Sequence, residues 1–147
     1  RIHAYLHALT AAHSGQNALC MLHGDIVASA EPPTELERSR ADLLVRRALA
    51  PRLAAQGAAI RAYDPAGMDE ARKLMPGLET APDPYACMES ADAVVIITEW
   101  DQFRALDFKR VKTAMKGQVV VDLRNIYDPE TMAEHGFAYH SIGRAAV

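Results

Sequence analysis

Two stretches of the chain carry unbroken apolar, largely β-branched runs that end abruptly in polar residues. Ala93-Val94-Val95-Ile96-Ile97 runs into Thr98-Glu99-Trp100, and Gln118-Val119-Val120-Val121-Asp122 runs into Leu123-Arg124-Asn125. Runs without alternation predict strands buried on both faces, the habit of parallel sheets. In open α/β sheets ligands lie beyond the carboxyl ends of such strands, so the polar residues that follow both runs stand where a site would be.

The remaining pattern is consistent with that frame. Leu19 to Gly24 and Ala58 to Tyr63 read as further strands, and Phe137 to His140 as a last edge strand. Helices are expected from Thr34 to Gly57, Met68 to Met75, Pro84 to Ser90, about Asp107 to Met115 and Glu130 to His135. Thr34 with Glu37 has capping-box spacing, Pro51 interrupts the first helix, and Gly57 is its stop. The stretch after Ile97 through Phe103 reads as a loop, and 80–84 as a connection. The alternation of strand and helix predicts an α/β, three-layer Rossmann-like domain, with a mostly parallel sheet and helices on both faces. Residues 1–17 are left unassigned, and 18–147 form the domain.

Composition narrows the chemistry. The chain of 147 residues suits one core, and a net charge of -3 argues against general nucleic-acid affinity. Cys20 and Cys87 are isolated, with no ligand spacing for zinc, and two free thiols suit a cytoplasmic setting. No stretch has the length of a membrane span, and the N-terminus has no signal-peptide pattern. The lack of an initiator Met is read as the mark of a piece of something longer. His3, His7 and His13 have no carboxylate or cysteine nearby and read as surface histidines rather than metal ligands. Arg38, Arg40, Arg46, Arg47 and Arg52 read as a solvated helix face rather than an anion site. Gly24 stands alone after the first strand, so the dinucleotide fingerprint is absent. A receiver-like module would need an acidic cluster at that point, and Asp25 alone does not supply one.

From Gly57 onward the motifs form a specific string: Tyr63-Asp64-Pro65, Thr98-Glu99-Trp100 with Phe103, Asp122-Leu123-Arg124-Asn125, Tyr127-Asp128, Gly136-Phe137, and Ser141-Ile142-Gly143-Arg144. Over roughly residues 48–144 this resembles the C-terminal, nucleotide-sugar-binding domain of the UDP-glucose 6-dehydrogenase family, which includes GDP-mannose dehydrogenases. The resemblance implies a three-part enzyme. An N-terminal Rossmann domain binds NAD, a central helical region forms the dimer, and the C-terminal domain grips UDP. The family's catalytic cysteine motif does not occur here, so the chain is expected to hold no catalytic residue, no metal and no cofactor of its own, with NAD belonging to the complete enzyme. Expected partners are a UDP-sugar and either the remaining dehydrogenase domains or further copies of the chain, with no nucleic acid and no membrane.

The family's nucleotide-sugar arginine maps onto Arg124, whose planar guanidinium suits phosphate or sugar oxygens. The alternative is that Arg124 pairs with Asp122 or Asp128 to pin the turn. Glu99, Trp100 and Asn125 complete the expected substrate-binding set. Without the resemblance Glu99 reads rather as a helix-start charge, and Trp100 and Phe103 as packing residues rather than base-stacking platforms. Asp64, with Pro65, reads as turn chemistry. The family's block with a ligand-facing lysine has its nearest counterpart in Ala30 to Ser39, where Glu31 stands in the lysine's place and would repel a diphosphate. A second reading follows from that departure: an α/β domain kept for assembly, with no nucleotide ligand.

Overall fold

The computed structural model describes residues 18–22, 50–55 and 57–147. The strands are β1 (Ala18–Leu22), β2 (Ala59–Tyr63), β3 (Glu79–Thr80), β4 (Ala93–Ile96), β5 (Val119–Asp122) and β6 (Ala138–Ser141). The helices are α1 (Ala50–Ala55), α2 (Met68–Leu74), α3 (Pro84–Met88), α4 (Asp101–Arg104), α5 (Phe108–Ala114) and α6 (Pro129–Glu134). The six strands form one sheet in the order β3-β2-β1-β4-β5-β6, and every pairing is parallel. This is the doubly wound order, in which the sheet grows outward in both directions from the β1/β4 junction.

The alternating side chains of the central strands divide the core in two. On one face Val94, Ile96, Val120 and Tyr139 pack with Met88, Phe103, Val111 and Met132 from α3, α4, α5 and α6. On the other, Ala93, Val95, Ile97 and Val121 pack with Leu53 of α1 and Met68 of α2. The expected three-layer arrangement is therefore present. Val95 is fully buried and its neighbours nearly so, which explains why neither β4 nor β5 shows a polar alternation.

Local chemistry sets the element ends. Three helices start on aspartates: Asp83 accepts from Tyr85 N and Ala86 N, Asp107 from Lys109 N and Arg110 N, and Asp128 from Thr131 N. Two of these are followed by proline at the first helical turn, where the missing N–H has no helical partner to lose. At the end of α1, Gly57 N donates to Ala54 O and Ala58 N to Leu53 O, with Gly57 at φ +91°. That is a Schellman stop, and Gly57 supplies the left-handed conformation it needs. Gly117 is required for another reason. A Cβ there would lie 1.9 Å from Asp92 O, because the end of α5 crosses the start of β4.

Two expectations are corrected. The stretch after Trp100 is not loop throughout, since Asp101–Arg104 closes one helical turn, α4. The connection before Pro84 contains a two-residue strand, β3, paired to Arg61 and Ala62 of β2. Both elements are too short to carry a hydrophobic period. The expectations for residues 1–17, including His3, His7 and His13, for Gly24, Asp25 and Glu31, for the Thr34 cap, and for the arginines 38–47 lie outside the described residues.

Candidate functional site

β4 and β5 pair in register, Ile96 opposite Asp122, so their exits lie side by side next to the β1/β4 junction. At this rim Arg124 Nη2 donates to Glu99 Oε1 at 2.7 Å, and Arg104 Nη2 donates to Glu99 Oε2 at 3.3 Å. All three side chains are about half exposed, at 46 %, 52 % and 48 % for Arg124, Glu99 and Arg104. The rim thus presents two guanidinium groups joined by one carboxylate. The turn-pinning alternative is corrected: the Arg124 guanidinium is on Glu99, and what Arg124 donates to Asp122 is its backbone N–H.

The loop that carries Arg124 is built around Asp122, which is completely buried. Its Oδ1 accepts from Arg124 N at 2.8 Å, and its Oδ2 from Ile126 N at 2.8 Å, Tyr127 N at 3.2 Å and Tyr139 Oη at 2.7 Å. A carboxylate taken out of water needs such donors. The even positions of β5 face the first core cluster, so Asp122 enters the same space as Val120 and Tyr139. Burial raises the Tyr139 hydroxyl above the ordinary phenol range, and the hydrogen bond to Asp122 adds to it. Tyr127 is raised in the same direction by burial first and the Asp122 charge second. Both phenols are therefore neutral donors, Tyr139 to Asp122 and Tyr127 to the carbonyl of Phe103.

Asn125 sits at φ +57°, a left-handed conformation that asparagine tolerates better than most residues. Its amide is committed to the backbone of Ile142: Nδ2 donates to Ile142 O at 3.0 Å, and Oδ1 accepts from Ile142 N at 2.9 Å. Arg144 Nη1 donates to Tyr127 O at 3.2 Å and ties the same tail to the same loop. Trp100 precedes α4 as its N-cap and lies half-buried against the first core cluster, as Phe103 lies wholly within it. Asp64 accepts from Ala66 N at 2.9 Å, so it serves the turn after β2.

Of the four residues singled out in the sequence, the structure brings Glu99 and Arg124 into contact at the rim, commits Asn125 to the backbone of Ile142, and packs Trp100 against the core at the start of α4. Arg104 was not anticipated. It lies five residues after Glu99, across a helical turn that has no signature in the pattern. Nothing in the linear pattern joins Tyr139 to Asp122; the parallel β5/β6 pairing places its hydroxyl there. Among the described residues no group of His, Cys, Asp and Glu side chains is arranged to hold a metal ion, and no helix is long and apolar enough to cross a membrane.

The model of the UDP-glucose/GDP-mannose dehydrogenase family, UDP binding domain, matches residues 46–129. A UDP-glucose 6-dehydrogenase of Rhizobium meliloti (strain 1021) is 59% identical over 88 residues, which span 60% of this chain and 20% of that protein. UDP-glucose 6-dehydrogenase TuaD of Bacillus subtilis (strain 168) is 41% identical over 98 residues, 66% of this chain and 21% of that protein. The chain thus spans about a fifth of the length of these relatives. Among solved structures, a UDP-glucose dehydrogenase from Pyrobaculum islandicum aligns over 88% of this chain and 26% of its own, at 23% identity and TM-score 0.60. The NDP-N-acetyl-D-galactosaminuronic acid dehydrogenase from Methanosarcina mazei Go1 aligns over 97% and 28%, at 20% identity and TM-score 0.62. Both likenesses concern the fold.

Proposed function

This chain belongs to the UDP-glucose/GDP-mannose dehydrogenase family, whose UDP binding domain it matches, and from that membership we propose that it holds the nucleotide diphosphate of a UDP-sugar beyond the carboxyl ends of β4 and β5. One observation supports this most directly: Arg124 offers a half-exposed guanidinium at the rim, on a loop fixed from below by a fully buried carboxylate. A guanidinium held in this way is a preorganised, bidentate donor for phosphate oxygens. Glu99 lies within reach of the same ligand. Asn125 acts through position, by holding Ile142, and Trp100 supports the start of α4.

The chemistry of oxidation belongs elsewhere in this reading. The chain is the binding portion of an NAD-dependent UDP-glucose 6-dehydrogenase, with NAD and the reactive cysteine on segments outside these residues, and the dehydrogenase's other domains or a second copy as its partners. The cytoplasm is the compartment that fits this reading, and the buried free thiol of Cys87 suits it.

Calorimetric titration of the 147-residue chain with UDP-glucose, UDP and GDP-mannose tests the reading. Saturable binding of the UDP compounds that weakens at least tenfold in Arg124→Ala is the expected result, because a charge-assisted bidentate pair is worth about 1.5–3 kcal/mol. A folded chain indifferent to millimolar UDP, in both forms, would leave the assembly reading in its place.

A further inference from the structure

From the ion-pair geometry at the rim we infer that Glu99 is a built-in competitor of the ligand's phosphates: it occupies Arg124 and Arg104 in the free protein and is displaced when a diphosphate binds between them. The inference rests on the proposed nucleotide site and adds to it a second arginine and a regulating carboxylate.

The argument begins with what the Glu99 bridge does not do. Its three side chains are half exposed, and exposed ion pairs contribute little to folding stability. The loop of Arg124 is already fixed by Asp122 and needs no further anchor. Arg104 ends a single helical turn that is closed by backbone hydrogen bonds, Ala105 N donating to Asp101 O and Leu106 N to Phe103 O. The bridge therefore holds neither element in place. What it does is bring two guanidinium groups from different crossovers onto one carboxylate, 2.7 Å and 3.3 Å away. A spacing that suits two carboxylate oxygens also suits the oxygens of a phosphate, which carries more charge and more acceptors. One residue before Glu99, Thr98 Oγ1 is shut off from solvent and has no hydrogen-bond partner among the described residues. An unmet buried hydroxyl at the exit of β4, on the residue next to Glu99 in the chain, is a second sign of an incomplete polar site.

Displacement is easy for the same reason that the bridge is weak. Exchange of the carboxylate for a phosphate keeps both arginines paired, and the freed Glu99 is on the surface, where water solvates it. The free protein then has a site of lower net positive charge, which discriminates against singly charged anions and favours a diphosphate.

The test is titration of the 147-residue chain and its Glu99→Gln, Arg104→Ala and Arg124→Ala variants with UDP and with uridine, at low and high salt and neutral pH. Glu99→Gln is expected to bind UDP roughly three- to tenfold more tightly, with a steeper salt dependence and no change for uridine. Arg104→Ala is expected to weaken UDP and leave uridine unchanged. Glu99→Gln binding UDP no better than the parent, or tightening uridine equally, would overturn the competitor role. Arg104→Ala binding UDP as the parent does would remove the second arginine. These results leave the nucleotide site standing if Arg124→Ala still weakens UDP. If no folded variant binds UDP, the site itself fails and the inference with it.

Discussion

Tyr139 Oη lies 2.7 Å from Oδ2 of Asp122 and donates to it, joining the last two strands of the sheet through a carboxylate that no solvent touches. Tyr139→Phe removes that donor and keeps the ring in its place. Three backbone N–H groups remain on Asp122. The expected loss is about 1–3 kcal/mol, the usual penalty when a buried charged acceptor loses one partner. Urea unfolding monitored by far-UV circular dichroism measures it. An unchanged midpoint would mean that water replaces the hydroxyl.

Alkaline pH should act through the same hydroxyls. The folded state raises Tyr127 and Tyr139 above the ordinary phenol value of about 10. A group whose folded pKa is raised contributes its full stability below the unfolded value and loses it as pH rises toward the folded one. Stability should therefore be flat through neutral pH and begin to fall above about pH 10, the unfolded phenol value. The fall should be shallower in Tyr139→Phe, which has one fewer phenol to deprotonate. Denaturation midpoints measured from neutral to strongly alkaline pH test this, and parallel curves for the two proteins would refute it.

Gly117 and Gly77 make a matched pair of substitutions. A Cβ at Gly117 would meet Asp92 O at 1.9 Å, whereas at Gly77, with φ +90°, it would meet nothing within 4 Å. Gly117→Ala should force the end of α5 off the start of β4 and cost about 1–3 kcal/mol or more, as overpacking does. Gly77→Ala should cost only the left-handed backbone penalty, about 1 kcal/mol. Thermal unfolding of both distinguishes a steric cost from a conformational one. The ordering reversed would contradict the close approach.

Asn125 combines a left-handed backbone with a two-way clamp on Ile142. Asn125→Gly keeps the conformation and loses the clamp, and Asn125→Ala loses both. The alanine variant should be the less stable of the two by about 1 kcal/mol, the left-handed penalty alone. Both should share the loss of the clamp, measurable as faster amide hydrogen exchange at Ile142. Protection equal to the parent's would show that the clamp contributes nothing.

The strands were readable where burial is two-sided. Val94 to Ile97, Val120 and Val121 are buried, so their runs show no polar alternation. The glycine stop at 57 likewise acts within a few residues and shows in a linear reading. What stayed hidden depends on pairing across the sheet or on very short elements. The parallel register that sets Tyr139 beside Val120, and its hydroxyl on Asp122, cannot be read from either strand alone. Arg104 reaches Glu99 only because four residues make one helical turn, and four residues have no period. Arg124 is singled out by resemblance, but its partner is not legible in the chain, since Asp122 is nearer in sequence while the guanidinium lies on Glu99.

The cradle around Asp122 has one more consequence. Three of its four donors are main-chain amides, those of residues 124, 126 and 127. Every residue type except proline carries that group. Mutation can therefore rewrite the outward side chain at position 124 without disturbing the turn that presents it. A lineage holding this aspartate and its tyrosine could drift from one ligand to another, or lose its ligand, while the loop kept its shape.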